Sequence, residues 1–131
     1  MTGFKPFIME STKKILIIDD DNRNIFALSA VLRAKKYTCL SSISAQDGFE
    51  LIEADQHVGV VLMDMMMPDM DGYQAMAKMK ENPSLADIPV IAVTAQAMVG
   101  DRERCLAAGA VDYISKPVNV DELLLKLKRY L

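Results

Sequence analysis

Three acids, a hydroxyl and an amine each follow a short apolar run in this chain of 131 residues. Asp19 and Asp20 come after Ile15 to Ile18, Asp64 after Val58 to Met63, Thr94 after Val90 to Val93, and Lys116 after Val111 to Ser115. Each has an ordinary explanation. An acid behind a strand caps the next helix more often than it does chemistry, which would suit Asp20 or Asp21. Asp64 suits a turn ahead of Met65-Met66-Met67-Pro68, Thr94 a helix cap, and Lys116 a solvated loop. Taken singly these readings win; taken together they do not. Three carboxylates within about 5 Å of one another repel by roughly 3 kcal/mol per pair at an effective dielectric near 20, so such a group needs a cation. Hard oxygens with room for water suit Mg²⁺, which also binds phosphate oxygens. A soft zinc site is not on offer, because His57 is the single histidine and Cys39 and Cys105 fall on separate elements. His57 itself reads as a solvated loop residue. A metal, a lysine and a hydroxyl around one acid are what phosphoryl transfer to that acid requires. The cations neutralise the equatorial oxygens, the hydroxyl hydrogen-bonds one of them, and the aspartate is the nucleophile of an acyl phosphate.

These residues meet only if the elements bring them together. Ile15 to Ile18 is a β-branched, wholly apolar run, as in a strand buried on both faces of a sheet. Ile25, Leu28, Val31 and Leu32 then recur at helical spacing up to Lys35 and Lys36. The unit repeats: a strand over Tyr37 to Ser42, a helix over Ala45 to Ala54, a strand over Val58 to Met63, and a helix from about Tyr73 to Glu81 stopped by Asn82-Pro83. Asp69 to Gly72 reads as the turn into that third helix. Val90 to Val93 is the fourth strand, followed by an Ala-rich helix that Gly109 ends as its C′ residue. Val111 to Ser115 is the fifth strand. The last helix starts at Asn119, with Glu122 placed for a capping box and Val120, Leu123, Leu124 and Leu127 as its apolar face. Asp121 and Glu122 at its start and Lys126, Lys128 and Arg129 at its end suit the helix dipole. Five strands alternating with five helices predict a doubly wound parallel α/β sheet with right-handed crossovers, whose working edge lies at the carboxyl ends of the strands.

Composition narrows the function classes. Fifteen Lys and Arg against eighteen Asp and Glu leave a net charge of −3, with 51% hydrophobic and 25% charged residues, an ordinary globular balance without the basic footprint of a nucleic-acid binder. No apolar stretch approaches the roughly 20 residues of a membrane span. The first residues show no signal-peptide core, so a cytoplasmic location with reduced cysteines is expected. Residues 1–12 have no clear period and read as an arm, leaving 13–131 as one domain. The seven methionines Met63, Met65, Met66, Met67, Met70, Met76 and Met79 read as core and loop filler rather than a binding stripe.

Over about residues 13–131 the sequence resembles a response-regulator receiver domain of two-component and phosphorelay signalling. The likeness rests on Ile-Leu-Ile-Ile-Asp-Asp-Asp at 15–21, Leu-Met-Asp-Met-Met-Met-Pro-Asp-Met-Asp-Gly at 62–72, Val-Thr-Ala at 93–95 and Tyr-Ile-Ser-Lys-Pro at 113–117. The resemblance implies a flavodoxin-like sheet of strand order 2-1-3-4-5. It implies that Asp64 is the phosphoacceptor, and that Asp19, Asp20, Asp64 and the backbone carbonyl of Met66 hold Mg²⁺. Thr94 and Lys116 would bind the phosphoryl group with the backbone amides of Met65 and Ala95, and the Lys116–Pro117 bond would be cis, aiming Lys116 inward. Thr94 and Tyr113 would form a switch that reshapes the face of the fourth helix, fifth strand and fifth helix. Met66 and Gln96 fall at the family's variable positions that tune access of water to the acyl phosphate. The implied donor is a sensor histidine kinase or a histidine phosphotransfer protein, and the implied output is contact with a protein partner, with neither nucleic acid nor membrane bound directly. The stretch from Ile88 to Val118 is similar both to stand-alone relay receivers and to receivers of hybrid kinases, so an excised module is an alternative.

In either case the resemblance implies a phosphoacceptor module that assists its own phosphorylation and dephosphorylation, rather than an enzyme. Two enzyme readings are weaker. An aspartate-nucleophile phosphatase wants an Asp-x-Asp-x-Thr-like motif after the first strand and usually a cap insertion, whereas Asp19 to Arg23 lacks the threonine and no insertion is present. A topoisomerase-primase-like site could use Asp69 and Asp71 but wants a glutamate after the first strand. A receiver-like interaction module that never turns over phosphate is a third alternative, against which the intact five-residue set argues.

Overall fold

The computed structural model describes residues 13–95 and 98–131. Ten elements alternate along them: β1 Lys14–Ile18, α1 Asn22–Ala34, β2 Cys39–Ser42, α2 Ala45–Ala54, β3 Val58–Asp64, α3 Gly72–Glu81, β4 Val90–Thr94, α4 Asp101–Ala107, β5 Asp112–Ser115 and α5 Val120–Leu127. The strands form one parallel sheet in the order β2-β1-β3-β4-β5. This is the expected doubly wound α/β fold. Its order reverses beside β1, and the crevice at the carboxyl ends of β1 and β3 is where such sheets hold their ligands.

Side chains alternate across the strands, and this divides the core in two. Leu16, Ile18, Val61, Met63, Val90 and Ala92 face Phe49 and Ile52 of α2, Ala75, Met76 and Met79 of α3, and Cys105 of α4. Ile15, Ile17, Leu62, Ile91, Val93 and Ile114 face Ile25 and Leu32 of α1 and Leu123 and Leu127 of α5. Five of the seven clustered methionines are buried, as filler should be, while Met70 is half-buried and Met66 is 53% exposed.

The elements differ from expectation in places where capping decides. Tyr37 and Thr38 precede β2 instead of opening it: Lys36 turns left-handed (φ 75°), and the Tyr37 N–H returns to the Leu32 carbonyl at 3.0 Å to close α1. Asp21, not Asp20, caps α1 by accepting the Arg23 N–H at 2.9 Å. Asp71 and Gln74 form a reciprocal capping box at the start of α3. At α5, Asn119 accepts the Glu122 N–H at 2.9 Å, but the Glu122 carboxylate pairs with Lys126 at 3.2 Å. The fourth helix is shorter than the Ala-rich pattern predicts. It starts at Asp101 behind the left-handed Gly100 (φ 94°), and Gly109 (φ 117°) follows its end as the C′ residue.

Candidate functional site

The carboxyl edge of the sheet gathers the five residues singled out in the sequence. Asp19 leaves β1 held by its N–H to the Ser42 carbonyl at 3.1 Å, Asp64 ends β3, Thr94 ends β4, and Lys116 follows β5 with its N–H on the Thr94 carbonyl at 2.8 Å. The carboxylates of Asp19, Asp20 and Asp64 each place an oxygen within 4.8 Å of the others. Asp19 and Asp64 are buried and Asp20 is exposed, so the cluster has a protein floor and one open side. Lys116 reaches across this floor, its Nζ 3.4 Å from Asp19 Oδ2 and 3.6 Å from Asp64 Oδ1. The peptide bond between Lys116 and Pro117 is cis.

Asp19 is aimed by two donors from the turn that follows it. The Asp21 N–H meets Oδ1 at 2.9 Å, and Asn24 Nδ2 lies 3.4 Å from Oδ2. Asn24 was not legible as a site neighbour, because its part depends on the first turn of α1 swinging it back over the strand end. Asp64 has fewer partners for its charge. Burial raises its carboxyl above the ordinary value; the Met66 N–H opposes this, the charge on Asp19 and the proximity of Asp20 add to it, and Lys116 pulls it back only in part. A buried acid left under-compensated is a common mark of a working site.

Two backbone expectations separate here. The Met65 N–H, expected to face a phosphoryl group, donates to the Val93 carbonyl at 3.0 Å and is consumed by the β3–β4 ladder. The next amide, Met66, is the one turned toward the acid, donating to Asp64 Oδ1 at 3.1 Å. Thr94 is buried, and the helix-cap reading fails because α4 begins seven residues later behind Gly100. Tyr113 is half-buried and lies beside Ala92 in the sheet. A period of two puts Ala92 and Thr94 on one face, so the tyrosine and the threonine share the side covered by α2, α3 and α4. Ala95 follows Thr94 at the same edge, whereas Gln96 lies outside the described residues, as does the arm of residues 1–12. Asp69 is not one of the three clustered carboxylates, though it lines a neighbouring cleft with Asp20, and Asp71 is spent on its capping box. His57 is exposed, with its N–H on Asp55 Oδ1.

Oxygen donors of this kind, close together and, among the described residues, floored by the Lys116 ammonium, suit a hard divalent cation that retains water. Among the described residues no helix is long and apolar enough to cross a membrane. A family model for the response regulator receiver domain matches residues 15–128. The polar-differentiation response regulator DivK of Brucella ovis is 34% identical over 120 residues, covering 92% of this chain and 97% of that protein. The receiver domain of a sensor histidine kinase from Pseudomonas aeruginosa, described with a magnesium ion coordinated in its active-site cleft, superposes with a TM-score of 0.80 at 33% identity, covering 90% of this chain and 96% of that one. A chemotaxis protein of Vibrio cholerae shares the fold with a TM-score of 0.82 at 22% identity, over 91% and 98% of the two chains. The chain therefore belongs to the response regulator receiver domain family of two-component signalling.

Proposed function

We propose that this receiver accepts a phosphoryl group on Asp64 from a phosphohistidine of a sensor kinase or phosphotransfer protein, and passes the signal on by contact with a protein partner. The observation that carries the reading is the place of Lys116, whose ammonium lies between Asp19 and Asp64 and is held by both. An amine so placed is ready to follow the charge onto a phosphoryl oxygen once Asp64 carries an acyl phosphate. In the transfer, an Asp64 oxygen forms the new P–O bond as the donor's P–N bond breaks, and the imidazole leaves with the electron pair. Asp19, Asp20, Asp64 and the Met66 carbonyl would hold Mg²⁺, which supplies charge neutralisation at the phosphoryl oxygens when bound. The Met66 N–H already points at Asp64, and the Thr94 hydroxyl and Ala95 N–H complete the donor set at the edge. Beside the acids, Leu28, Val31, Pro117 and Val118 line a groove of about 470 Å³ whose wall includes Asp19 and Lys116, an apolar seat for the donor protein.

The added phosphate carries roughly −1.5 to −2 charges. Drawing the Thr94 hydroxyl toward it changes the space beside Tyr113 and, through that ring, the surface of α4, β5 and α5. The test is intact-mass spectrometry after incubation with acetyl phosphate, with and without Mg²⁺, on the wild type and on Asp64→Asn. A single phosphoryl adduct that needs Mg²⁺ and is absent from the variant is expected. No adduct at any Mg²⁺ concentration would make the chain an interaction module that works without phosphate.

A further inference from the structure

The switch face is crossed by a helix with little hold of its own. α4 has seven residues, and its N-cap, Gly100, makes no side-chain cap bond. A helix that short takes its position from what it packs against. Two of its side chains reach α3. The Tyr73 hydroxyl lies 3.6 Å from the buried Cys105 Sγ, and the Arg104 guanidinium sits over the Tyr73 ring, 5.0 Å from its centroid. Arg104 also approaches Asp101 Oδ1 at 3.7 Å, while the other oxygen of that buried carboxylate accepts the Met98 N–H at 3.0 Å, tying down the loop that enters α4. A cation over an aromatic face is attractive and depends on the ring staying in place.

Tyr73 leads back to the acid site by the shortest of routes. It follows Gly72, whose N–H donates to the Met65 carbonyl at 3.3 Å. That glycine is packed so closely that an added Cβ would meet the Met65 sulfur and lie 2.9 Å from the Met65 Cα. Met65 is the residue after Asp64. Contacts therefore run without a gap from Asp64 through Met65, Gly72 and Tyr73 to Cys105 and Arg104, on the same face as Tyr113 and without passing through Thr94.

We propose that Tyr73 and Arg104 are positioning residues that latch α4 to α3, holding it in the ligand-free arrangement, so that breaking the latch is part of the work of switching. The proposal rests on Asp64 being the phosphoacceptor. The latch opposes the liganded state, so loosening it raises affinity for a phosphoryl group or its analogue. Tyr73→Phe removes only the hydroxyl at Cys105, and Arg104→Met removes the cation over the ring. Neither residue is in the acid cluster. The probe is beryllofluoride with Mg²⁺, titrated into the full chain, with backbone amide NMR signals of α4 and Tyr113 followed throughout.

Mg²⁺ affinity is expected to stay within about twofold of wild type while beryllofluoride binds about fivefold more tightly, a coupling of ordinary size. The ligand-free α4 signals of both variants should move part of the way toward the wild-type liganded positions. Unchanged or weaker beryllofluoride binding in both variants overturns the latch, even where urea midpoints fall, since that would mark the contacts as structural only. Failure of the wild type itself to bind beryllofluoride overturns the phosphoacceptor reading and the latch with it, and is recognised by its presence before any substitution is made.

Discussion

Asp64→Asn should make the metal-free protein more stable, by an amount that follows from the distances. With the cluster oxygens all within 4.8 Å, a charge on Asp64 meets two like charges at about 3.5 kcal/mol each at an effective dielectric near 20. Lys116 at 3.6 Å returns about 4.6 kcal/mol on the same scale. Water screens the exposed Asp20 and reduces its share, while burial of Asp64 adds to the cost. A neutral amide of the same shape should therefore gain about 1–2 kcal/mol at neutral pH, roughly 4 °C per kcal/mol in Tm for a domain of this size. The gap has a definite pH dependence. Burial first, and Asp19 with it, raises the Asp64 pKa above its ordinary 3.8. A raised acid stabilises the folded state fully below its unfolded pKa and loses that contribution as pH climbs through the folded value. The variant lacks the group. The two proteins should thus be nearly equal in stability below pH 3.8 and diverge as pH rises, the shifts of acids outside the cluster cancelling in the difference. Mg²⁺ should close the gap or reverse it, since a hundredfold excess over Kd stabilises the binding-competent wild type by about 2.7 kcal/mol. Urea unfolding in EDTA across this pH range, repeated with Mg²⁺, measures each part. A variant no more stable than wild type at neutral pH, or a gap that ignores pH, would refute the electrostatic account of the site.

Gly72→Ala places a methyl group against the Met65 sulfur and 2.9 Å from its Cα, a backbone atom that cannot rotate away. It is expected to cost about 1–3 kcal/mol in urea unfolding and to slow acetyl phosphate labelling by displacing the Met65–Met66 segment; full stability would mean the loop yields freely. Lys126→Met removes the ammonium that bonds Asp112 Oδ1 at 3.1 Å and the Tyr113 carbonyl, with an expected loss of about 1–3 kcal/mol at neutral pH. Burial alone would push the Asp112 carboxyl up, but the Tyr113 N–H, Lys126 and Arg129 hold it below its ordinary 3.8. Its contribution is therefore present above that value and lost as pH falls through the depressed one. Urea midpoints between neutral and acid pH should show a smaller acid-limb loss in the variant, and identical slopes would contradict the pairing.

The acid set was legible because direction does the placing. Each of its members follows an apolar run, and parallel strands carry whatever follows them to one edge. What escaped the sequence depended on register and on long reach. Which amide faces Asp64 turns on the pairing of Asp64 with Val93, which spends the Met65 N–H and frees Met66 for the acid. The start of α4 turns on the Asp101 carboxylate bonding back to Met98 behind a left-handed Gly100, a choice that alanine propensity does not reveal. Lys126 reads along the chain as a dipole-matching helix end; in the folded protein its ammonium lies between Asp112, Glu122 and the Tyr113 carbonyl. Neither contact to β5 has a local signature, because each joins residues 13 or 14 positions apart.

The protein also shows what it does with an acid that serves the fold alone. Asp112 opens β5 at the opposite end from Lys116, is buried, and is surrounded by Lys126 at 3.1 Å and Arg129 at 3.6 Å, with its carboxyl held low. Asp55, bonded by Lys14 and by the His57 N–H, is held down to about 2. Asp64 receives the reverse treatment. It is buried beside two further carboxylates, shares a single lysine with one of them, and has its carboxyl raised. Among the described residues, α5 and the segment after it supply two cations to Asp112, whereas Asp64 shares one lysine with Asp19, at the edge where the order of strands reverses. A chain selected for stability alone would have no reason to keep that arrangement. On the proposed reading a divalent cation would supply the positive charge that Lys116 alone does not, and the Asp64 oxygen is what a phosphoryl group would meet.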